Sequence, residues 1–241
     1  MKLSPQHDPM GLAIQDFAKL GRAQRLRVLS SMFYEDEIPV HNLFRTEAEM
    51  PLVERTALAL SQGRVLDVGA GAGCHTLALQ RRGLDDVTAI DISALSVETM
   101  RERGVRQALC ADFFTDDFGS RFDTLLMLMN GLGIAGTLDR LPLLLSRCRE
   151  LLADGGCVLA DSTDLCYLFE DESGHVELPE DGVYYGEVDY RMVYGRHRGP
   201  AFHWLYVDFD TLCSHAAAAG LQAELVVKGT HYDYLARLSR V

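Results

Sequence analysis

The sequence predicts an α/β fold, built on a doubly wound and mostly parallel β-sheet with helices on both faces. From Arg64 onward, short apolar segments alternate with segments of helical pattern, and this alternation is typical of parallel strands joined by crossover helices. The predicted strands are apolar almost throughout, as expected where both faces of a sheet are covered. Gly83 and Gly104 follow two of the predicted helices, where a left-handed residue commonly ends a helix.

The elements of this sheet can be assigned in order along the chain. Strands are predicted in the apolar segments at 64–68, 86–91, 107–111, 122–129 and 157–161. Helices are predicted at 74–82, 95–103, 138–152 and 209–219. A turn is expected at 154–156, and a terminal hairpin of segments 223–227 and 232–238 completes a seven-stranded sheet.

Residues 1–60 precede this alternation and are expected to form a helical N-terminal cap on a main domain of residues 61–241. The cap has a polar break at 34–37, and Pro51 is placed to begin a new helix, since proline is well tolerated in the first helical turn. The sequence therefore predicts one large domain with an N-terminal addition.

A second addition is expected at 162–208, as an insert after the fifth strand. Segments 183–194 and 202–208 are predicted to pair as a β-hairpin around a turn at 196–200. Its aromatic side chains suit a cavity for a small organic ligand or an amine, although a half-buried hairpin has the same composition. These side chains are Tyr184, Tyr185, Tyr190, Tyr194, His203, Trp204 and Tyr206.

Composition and charge exclude several classes of function. The chain has 241 residues, and its formal net charge of −12 argues against a nucleic-acid partner. No apolar run approaches the ~20 residues of a membrane span, and the polar N-terminus predicts no secretory signal. The six cysteines lack metal-ligand spacing, so we expect no metal site, no membrane partner and a cytoplasmic protein with reduced thiols. The composition favours no particular oligomeric state.

The strongest chemical signal is the segment VLDVGAGAG at 65–73, an apolar strand that ends in three glycines and leads into a helix. Glycine lets a ligand approach the backbone and leaves amide groups free to bind it. Asp67 lies inside this strand, and Asp91 ends the next one, where a carboxylate can accept both ribose hydroxyls of a nucleoside. Asp112 ends the third strand, where it can accept from an adenine amino group. Together the three acids predict an adenosine-shaped site, although Asp91 and Asp112 also suit helix caps.

These motifs resemble those of the class I S-adenosylmethionine-dependent methyltransferases over residues 63 to about 161. VLDVGAGAG is similar to the family's first motif, TAIDIS to its second, CADFF to its third and FDTLLMLMNGLGIAG to its fourth strand. The resemblance implies a Rossmann-like fold, S-adenosyl-L-methionine as the cofactor and S-adenosyl-L-homocysteine as the product. A nicotinamide-dependent oxidoreductase is a weaker match, because Cys74 stands where the dinucleotide fingerprint needs its third glycine.

The resemblance also implies roles for individual residues of the cofactor site. Gly69, Gly71 and Gly73 would line the methionine and ribose parts of the cofactor, above a supporting Asp67. It also implies that Asp91, with the adjoining Ile92, binds the ribose, that Asp112 binds the adenine amino group with Phe113 against the ring, and that Met129 and Asn130 approach the sulfonium. From its position before the glycine-loop strand, Arg45 is a candidate to pair with the cofactor's carboxylate. His75, at the start of the helix after the loop, is either a cofactor contact or a structural residue.

Candidate catalytic residues come from the strand ends and from the N-terminal segment. Asp161 and Asp164 follow the fifth strand, where a carboxylate can hold an acceptor or cap the next turn. His41 is a candidate to face the acceptor, and Asn130 is a candidate to lie beside the transferred methyl group. The alternative for His41 is a satisfied structural histidine, the alternative for Arg45 is a surface ion pair, and these two alternatives are favoured. A base is needed only if the acceptor atom carries a proton at neutral pH.

We therefore expect methyl transfer to an oxygen or nitrogen atom of a small-molecule acceptor. The fourth strand ends in MNGLG and lacks the Asn/Asp-Pro-Pro-aromatic pattern of enzymes that methylate nucleobase amines. Together with the negative charge, this makes a protein side chain the second choice of acceptor and nucleic acid the last. A further alternative is a protein that binds the cofactor without turnover, as a sensor or scaffold, because a glycine loop indicates binding rather than catalysis.

Overall fold

The computed structural model describes residues 2–171, 173–179 and 182–241. The chain is divided into two compact units, each assembled from segments that are far apart in the sequence. The first unit contains the residues up to Met50, Ser61–Gly119 and Asp189–Phe202, and the second contains Pro51–Leu60, Ser120–Val188 and His203–Val241.

Helices form close to the positions that the sequence predicts. The α-helices of the described residues are α1 (Pro9–Leu20), α2 (Leu52–Leu60), α3 (Cys74–Arg81), α4 (Ala94–Glu102), α5 (Leu141–Leu151) and α6 (Phe209–Ala218). Short 3-10 helices lie at Pro5–His7, Val40–Phe44, Glu47–Glu49, Gly131–Ala135, Leu138–Arg140 and Leu165–Phe169. The predicted helix at 138–152 is thus a 3-10 turn followed by α5, with Pro142 in the first turn of α5, where no amide donor is needed.

The strands form two sheets. They are β1 (Leu26–Leu29), β2 (Asp36–Ile38), β3 (Val65–Val68), β4 (Val87–Asp91), β5 (Gln107–Cys110), β6 (Phe122–Met127), β7 (Leu152–Thr163), β8 (Glu187–Tyr194), β9 (His197–Leu205), β10 (Leu221–Lys228) and β11 (Asp233–Arg240). One sheet has the order β10-β11-β7-β6-β3-β4-β5, and the other has the order β2-β1-β8-β9. In the larger sheet β11 runs antiparallel to β7 and β10, while β4 is parallel to β3 and β5, and β6 is parallel to β7. The predicted seven-stranded, mostly parallel sheet is confirmed.

The core of the first unit is built around β3 and β4. Every residue of β3 is buried, and in β4 only the terminal Asp91 is partly exposed. Glycine is required at Gly73, where α3 begins, because an added Cβ would lie 2.9 Å from Val105 Cγ2 and 3.0 Å from Met100 Cγ. The buried apolar side chains that pack here are Ala70, Leu77, Ala89, Val97, Met100, Val105 and Ala108.

The N-terminal segment contains two strands in addition to its helices, which differs from the predicted helical cap. β1 pairs antiparallel with β2 and with β8, so Leu26 lies opposite Ile38 on one side and Tyr194 on the other. The predicted polar break at 34–37 leads into β2. Local sequence could not reveal these strands, because they are only four and three residues long and β1 pairs with a distant segment.

The insert forms the predicted hairpin, but its turn is tighter than expected. β8 ends at Tyr194 and β9 begins at His197, so the predicted turn at 196–200 is wrong. Gly195 has a φ of 55°, which suits a two-residue hairpin turn. Pro200 lies within β9 rather than in the turn, and it is tolerated because β9 is at the edge of its sheet.

In the second unit, β7 is longer than the strand predicted at 157–161 and includes the turn predicted at 154–156. Gly155 has a φ of 76°, and an added Cβ on Gly156 would lie 2.8 Å from the Phe122 carbonyl oxygen. The pairing of β6 with β7 shifts register at the same level of the sheet. The two glycines therefore form a bulge inside the strand and not a turn before it.

Candidate functional site

The glycine loop between β3 and α3 has a backbone conformation that side chains disfavour. Gly69, Gly71 and Gly73 have φ angles of 70°, 56° and 81°. The amides of Gly69 and Ala70 donate to the Ile90 carbonyl oxygen at 2.9 and 3.0 Å. Chain neighbours aside, no atom of the described residues lies within 4 Å of where a Cβ would sit on Gly69 or Gly71. The loop is therefore fixed to the end of β4 and leaves open space beside two of its glycines.

Asp91, at the end of β4, has both carboxylate oxygens held by backbone amides. Oδ2 accepts from the Gly71 amide at 2.9 Å, and Oδ1 accepts from the Ser93 amide at 2.8 Å. Burial raises the pKa of Asp91 to about 6; the two amides lower it, and the carboxyl groups of Asp8 and Asp67 raise it. Each oxygen keeps a further lone pair, so the oriented carboxylate can still accept two hydroxyl groups.

Asp67 and His75 lie beneath the glycine loop and are enclosed by protein. Asp67 is 2% exposed and accepts a hydrogen bond from the Thr76 hydroxyl at 2.5 Å. Burial raises the pKa of Asp67, while the nearby His75 and the bond from Thr76 lower it. Asp67 therefore links β3 to the first turn of α3, and in this position it can support the glycine loop between them.

The end of β5 carries Asp112 and Phe113. Because β5 is parallel to β4, Asp112 lies at the same edge of the sheet as Asp91. Its Oδ1 accepts from the Phe114 amide at 3.0 Å; burial would raise the pKa of Asp112, but hydrogen bonds to the carboxylate hold it below its ordinary value. Phe113 is buried, whereas Ile92 is 38% exposed.

His41 and Arg45 belong to the segment around the 3-10 helix Val40–Phe44. His41 is exposed, and it contributes to the lowered pKa of Glu49, which is due mainly to hydrogen bonds from Thr46, the residue that caps the next 3-10 helix, Glu47–Glu49. Arg45 donates from Nη1 to the Asn42 carbonyl oxygen at 2.7 Å. Both of these contacts are with residues of the same N-terminal segment.

Arg103 is a residue of this region that the sequence analysis missed. Its Nη1 donates to the carbonyl oxygen of Ala72 in the glycine loop, and its Nη2 donates to the Phe44 carbonyl oxygen at 3.5 Å. The guanidinium carbon lies 4.4 Å from the centre of the Phe44 ring, and burial lowers the pKa of Arg103. The side chain thus joins the loop to the N-terminal segment. In the sequence, Arg103 is a basic residue at the end of a predicted helix, and a favourable interaction with the helix dipole is sufficient to explain it.

In the second unit, β6 ends two residues before the predicted limit of 129. Met129 and Asn130 turn the chain with φ angles of 63° and 58°, which residues other than glycine rarely adopt. Asn130 donates from Nδ2 to the Leu205 carbonyl oxygen at 3.1 Å, and its Oδ1 accepts from the Thr163 amide at 3.2 Å. A strained turn held by side-chain hydrogen bonds is a common feature of functional sites.

Asp161 and Asp164 lie at the end of β7 and directly after it. Asp161 Oδ1 accepts from the Gly131 amide at 3.1 Å, so it supports the turn that follows β6. Asp164 Oδ1 accepts from the Cys166 amide at 2.9 Å, which is the predicted cap, and also from the Tyr185 hydroxyl at 2.8 Å. The contact with the insert could not be inferred from spacing along the chain.

Tyr184 and Tyr185 are adjacent in the sequence and their ring centroids are 4.6 Å apart. The Tyr184 hydroxyl donates to Asp208 Oδ2 at 2.5 Å and accepts from the Asp208 amide at 2.9 Å. Burial raises the pKa of both tyrosines above the ordinary value, and hydrogen bonds with Tyr184 and Asp164 raise that of Tyr185 further. Both hydroxyls therefore remain protonated donors at neutral pH.

Further aromatic rings lie around Asp164 and Tyr185. Tyr167 and Tyr232 stack with centroids 5.0 Å apart, and Phe169 meets Tyr185 edge-on at 6.1 Å. The Glu170 carboxylate is the main cause of the raised pKa of Tyr232, and burial and the charge of Asp164 add to it. The Asp164 amide donates to the Tyr232 carbonyl oxygen at 3.0 Å, so these two residues adjoin. We name this group the aromatic–acidic cluster, and it consists of Asp164, Tyr167, Phe169, Glu170, Tyr185 and Tyr232.

Two other aromatic residues of the insert, Tyr194 and Trp204, are packing residues. Tyr194 is buried, donates to Asp16 Oδ2 at 2.6 Å and accepts from the Gln24 amide at 3.1 Å. Trp204 packs so closely on Gly133 that an added Cβ there would lie 2.0 Å from the indole nitrogen. The aromatic residues predicted to act together are therefore divided between a cluster that contains Tyr185 and separate packing contacts.

Within the described part of the chain, no three His, Cys, Asp or Glu side chains are grouped so that they could hold a metal ion. In the same residues, no helix is both long enough and apolar enough to cross a membrane.

The chain is closely similar to a crystallised enzyme from Bacteroides fragilis, an S-adenosylmethionine-dependent methyltransferase in complex with S-adenosyl-L-homocysteine. The two are 54% identical, the match covers 100% of this chain and 98% of that chain, and the TM-score is 0.93. The chain belongs to the S-adenosylmethionine-dependent methyltransferases. The family model described as a methyltransferase domain also matches residues 65–156 of this methyltransferase. Its cofactor is therefore S-adenosylmethionine and its product S-adenosylhomocysteine.

Other methyltransferases share the fold at much lower identity. CcbJ from Streptomyces caelestis is 17% identical, with a TM-score of 0.62 and coverage of 84% of this chain and 95% of that chain. The sugar N-methyltransferase KedS8 from a Streptoalloteichus species is 20% identical, with a TM-score of 0.58 and coverage of 88% and 97%. No curated protein matches this methyltransferase in sequence. These two similarities concern the fold alone.

Proposed function

We propose that this methyltransferase transfers the methyl group of S-adenosylmethionine to the amine nitrogen of a small molecule, with an oxygen acceptor as the alternative. The observation that carries the proposal is the aromatic–acidic cluster. Tyr167 and Tyr232 are 39% and 54% exposed, the Asp164 amide donates to the Tyr232 carbonyl oxygen at 3.0 Å, and the Glu170 carboxylate raises the pKa of the Tyr232 hydroxyl. Aromatic faces and carboxylates both attract an ammonium group. Since Asp164 accepts hydrogen bonds from neutral groups, its negative charge is available to a cation.

The residues of the first unit suit the proposed cofactor contacts. Open space beside Gly69 and Gly71 allows a ligand to approach the loop, and the Asp91 carboxylate is oriented to accept two ribose hydroxyls. We propose that Asp112 accepts from the adenine amino group and that Phe113 packs against the adenine ring. The assignments of Ile92, His75 and Arg45 to the cofactor stay predictions.

The residues near β6 and β7 are proposed to position the reactants. When bound, S-adenosylmethionine supplies an electrophilic methyl group and a sulfide leaving group, so carbon–nitrogen bond formation and carbon–sulfur bond breakage need no other reagent. Asn130 and Asp161 fix the turn at Met129, which we propose lies beside the sulfonium. Such positioning can lower a barrier by roughly 7–11 kcal/mol. The role of His41 toward the acceptor stays a prediction.

An ammonium acceptor must lose a proton before its nitrogen can attack the methyl group. We propose that Asp164 takes this proton, because Tyr184 and Tyr185 have raised pKa values and remain protonated. Asp164 would then hold the acceptor first as a carboxylate that pairs with the ammonium and next as the proton acceptor.

The acceptor class can be tested by turnover of methyl-labelled S-adenosylmethionine against three separate pools: small amines, small alcohols and phenols, and unfolded proteins. We expect labelled product from the amine pool. Label only in the alcohol and phenol pool would establish the oxygen alternative and overturn the amine proposal. Label only in the protein pool would show that the methyl acceptor is a protein side chain and would overturn the amine proposal.

The role of the aromatic–acidic cluster can be tested with Asp164→Asn. We expect kcat/KM for the amine acceptor to fall at least about tenfold, as for loss of a charged hydrogen-bond partner, with an unchanged dissociation constant for S-adenosylhomocysteine. Glu224→Gln is the matched control, because Glu224 is an exposed carboxylate on β10 outside the cluster. Full activity of a folded Asp164→Asn variant would remove Asp164 from the proposed site.

A further inference from the structure

A buried chain of hydrogen bonds connects the start of α1 to Asp91. Asp8 is 1% exposed; its Oδ1 accepts from the Gly11 amide at 2.8 Å, and its Oδ2 accepts from the Ser93 hydroxyl. The Ser93 hydroxyl oxygen accepts from the Ser96 amide at 2.9 Å, and the Ser93 amide donates to Asp91 Oδ1 at 2.8 Å. A single buried serine therefore contacts Asp8, the first turn of α4 and the carboxylate of Asp91.

The N-terminal segment approaches this serine very closely. A Cβ added to Gly11 would lie 2.2 Å from Asp8 Oδ2 and 2.5 Å from Ser93 Oγ, so the contact requires a glycine in α1. Leu3 forms a parallel bridge with Ser93, and its amide donates to the Ile92 carbonyl oxygen at 3.0 Å. Both residues that follow β4 are therefore held by the N-terminal segment, Ile92 through its carbonyl oxygen and Ser93 through its hydroxyl group.

Helix capping does not account for the whole arrangement. One oxygen of Asp8 is sufficient to cap α1, and Ser93 caps α4 with its own oxygen. The bond between the two side chains is additional, and it is made by a carboxylate in a buried place where its charge is disfavoured, since burial raises the pKa of Asp8. Burial of the Asp8 carboxylate is unfavourable, and Asp8 is connected to the proposed ribose-binding group Asp91 through Ser93. This arrangement indicates that Asp8 has a function in positioning.

We propose that Asp8 is a positioning residue for the cofactor: it holds Ser93, and the Ser93 amide orients the Asp91 carboxylate toward the ribose hydroxyls. The inference rests on the proposed ribose contact of Asp91. Asp8 acts through Ser93 and has no contact of its own with the cofactor in this scheme. The N-terminal segment thereby contributes to selection of a ribose with both hydroxyls, although it lies outside the glycine-loop motif.

The test compares two ligands, S-adenosylhomocysteine and its 2′,3′-dideoxyribose analogue, whose dissociation constants are measured by calorimetry. We expect Asp8→Ala and Ser93→Ala to weaken S-adenosylhomocysteine binding about tenfold, and to weaken binding of the analogue less than about twofold, because it lacks the hydroxyls that Asp91 would accept. Asp8→Asn keeps one oxygen that can cap α1, and its amide group can donate to the Ser93 hydroxyl oxygen, so it should recover most of the affinity and provides a folded variant if the alanine variant is unstable.

Gln15→Ala is the matched control, because Gln15 donates to Glu98 at 2.7 Å across the same pair of helices, α1 and α4, without touching Asp8 or Ser93. It should bind both ligands like the parent enzyme. Equal losses for the two ligands in Asp8→Ala and Ser93→Ala would overturn the inference and leave Asp8 with a purely structural role. Asp91→Asn tests the ribose contact of Asp91 separately from the positioning role of Asp8. If Asp91→Asn weakens the binding of both ligands equally, Asp91 does not bind the ribose hydroxyls, and the inference about Asp8 is wrong as well.

Discussion

The cofactor residues of the first unit and the aromatic–acidic cluster of the second unit are built in different ways. The glycine loop, Asp91 and Asp112 come from the ends of three strands that follow one another along the chain, and backbone amides hold both carboxylates. The aromatic–acidic cluster draws on the segment after β7, on Tyr185 before β8 and on Tyr232 before β11. Its contacts are made mainly between side chains.

The two regions should therefore respond to different kinds of mutation. Where the backbone forms the site, a change of backbone conformation or of the space beside it should have the largest effect. Where side chains form the site, the effect should depend on the loss of one polar group, while the backbone remains as it was.

The largest effect is expected for Gly71→Ala. Alanine at a φ of 56° costs about 1–2 kcal/mol, and its methyl group would occupy the open space proposed for the cofactor. We expect S-adenosylhomocysteine to bind at least about 100-fold more weakly in calorimetry, while the melting temperature falls by only about 2–8 °C.

Gly119→Ala is the matched control for the cost of placing alanine at a positive φ angle. Gly119 has a φ of 63° and is also open on the side of a Cβ, but it lies in an exposed turn outside the loop. It should show a similar loss of melting temperature with unchanged binding. If Gly71→Ala bound the ligand as Gly119→Ala does, the loop would not be the cofactor contact.

A smaller effect is expected for Asp91→Asn, together with a change in pH dependence. Because the pKa of Asp91 is about 6, protonation should weaken S-adenosylhomocysteine binding as the pH is lowered from 7.5 to 5. Asp91→Asn should bind about 10–100-fold more weakly at pH 7.5 and lose this dependence. Titrations at several pH values test both points, and a variant that keeps the parent pH profile would contradict them.

The same substitution should stabilise the ligand-free protein. A pKa raised in the folded state means that the folded protein binds a proton more tightly than the unfolded chain between pH 4 and 6. The stability associated with Asp91 is therefore present at low pH and lost as the pH rises through about 6. Asp91→Asn avoids the buried charge and should gain on the order of 1 kcal/mol at pH 7.5 after solvent screening. A lower melting temperature than the parent at that pH would show that the hydrogen bonds from the Gly71 and Ser93 amides stabilise the charged carboxylate by more than its burial costs.

The sequence predicts the cofactor region well because local patterns determine it. The strands and helices from β3 to α4 lie within one or two residues of their predicted limits, since apolar periodicity and glycines mark both ends. The same patterns do not report on contacts between distant segments. The β1–β8 pairing, the bond from Tyr185 to Asp164 and the bond from Ser93 to Asp8 each join segments that are far apart in the chain, and each was missed.

Errors in the insert and in β7 have a related cause. Pro200 and the glycines at 155 and 156 are typical of turns, and the local prediction placed turns there. In the structure the proline lies on an edge strand and the glycines form a bulge, because the position of each strand in its sheet decides which backbone groups need partners. Sheet position depends on the whole fold, so a single segment does not contain that information.

The smallest effects should come from two tyrosines of the insert region that sequence alone does not distinguish. Tyr185→Phe removes the donor to Asp164, and Tyr194→Phe removes the donor to Asp16, so each should lose about 1 kcal/mol of stability. Only Tyr185→Phe should raise the KM for the acceptor, by about threefold to tenfold, because its hydroxyl orients a carboxylate of the aromatic–acidic cluster. Thermal unfolding and acceptor kinetics measure both quantities. Equal KM changes in the two variants would mean that the insert contributes through packing as a whole, and the contrast between a backbone-built site and a side-chain-built site would no longer hold.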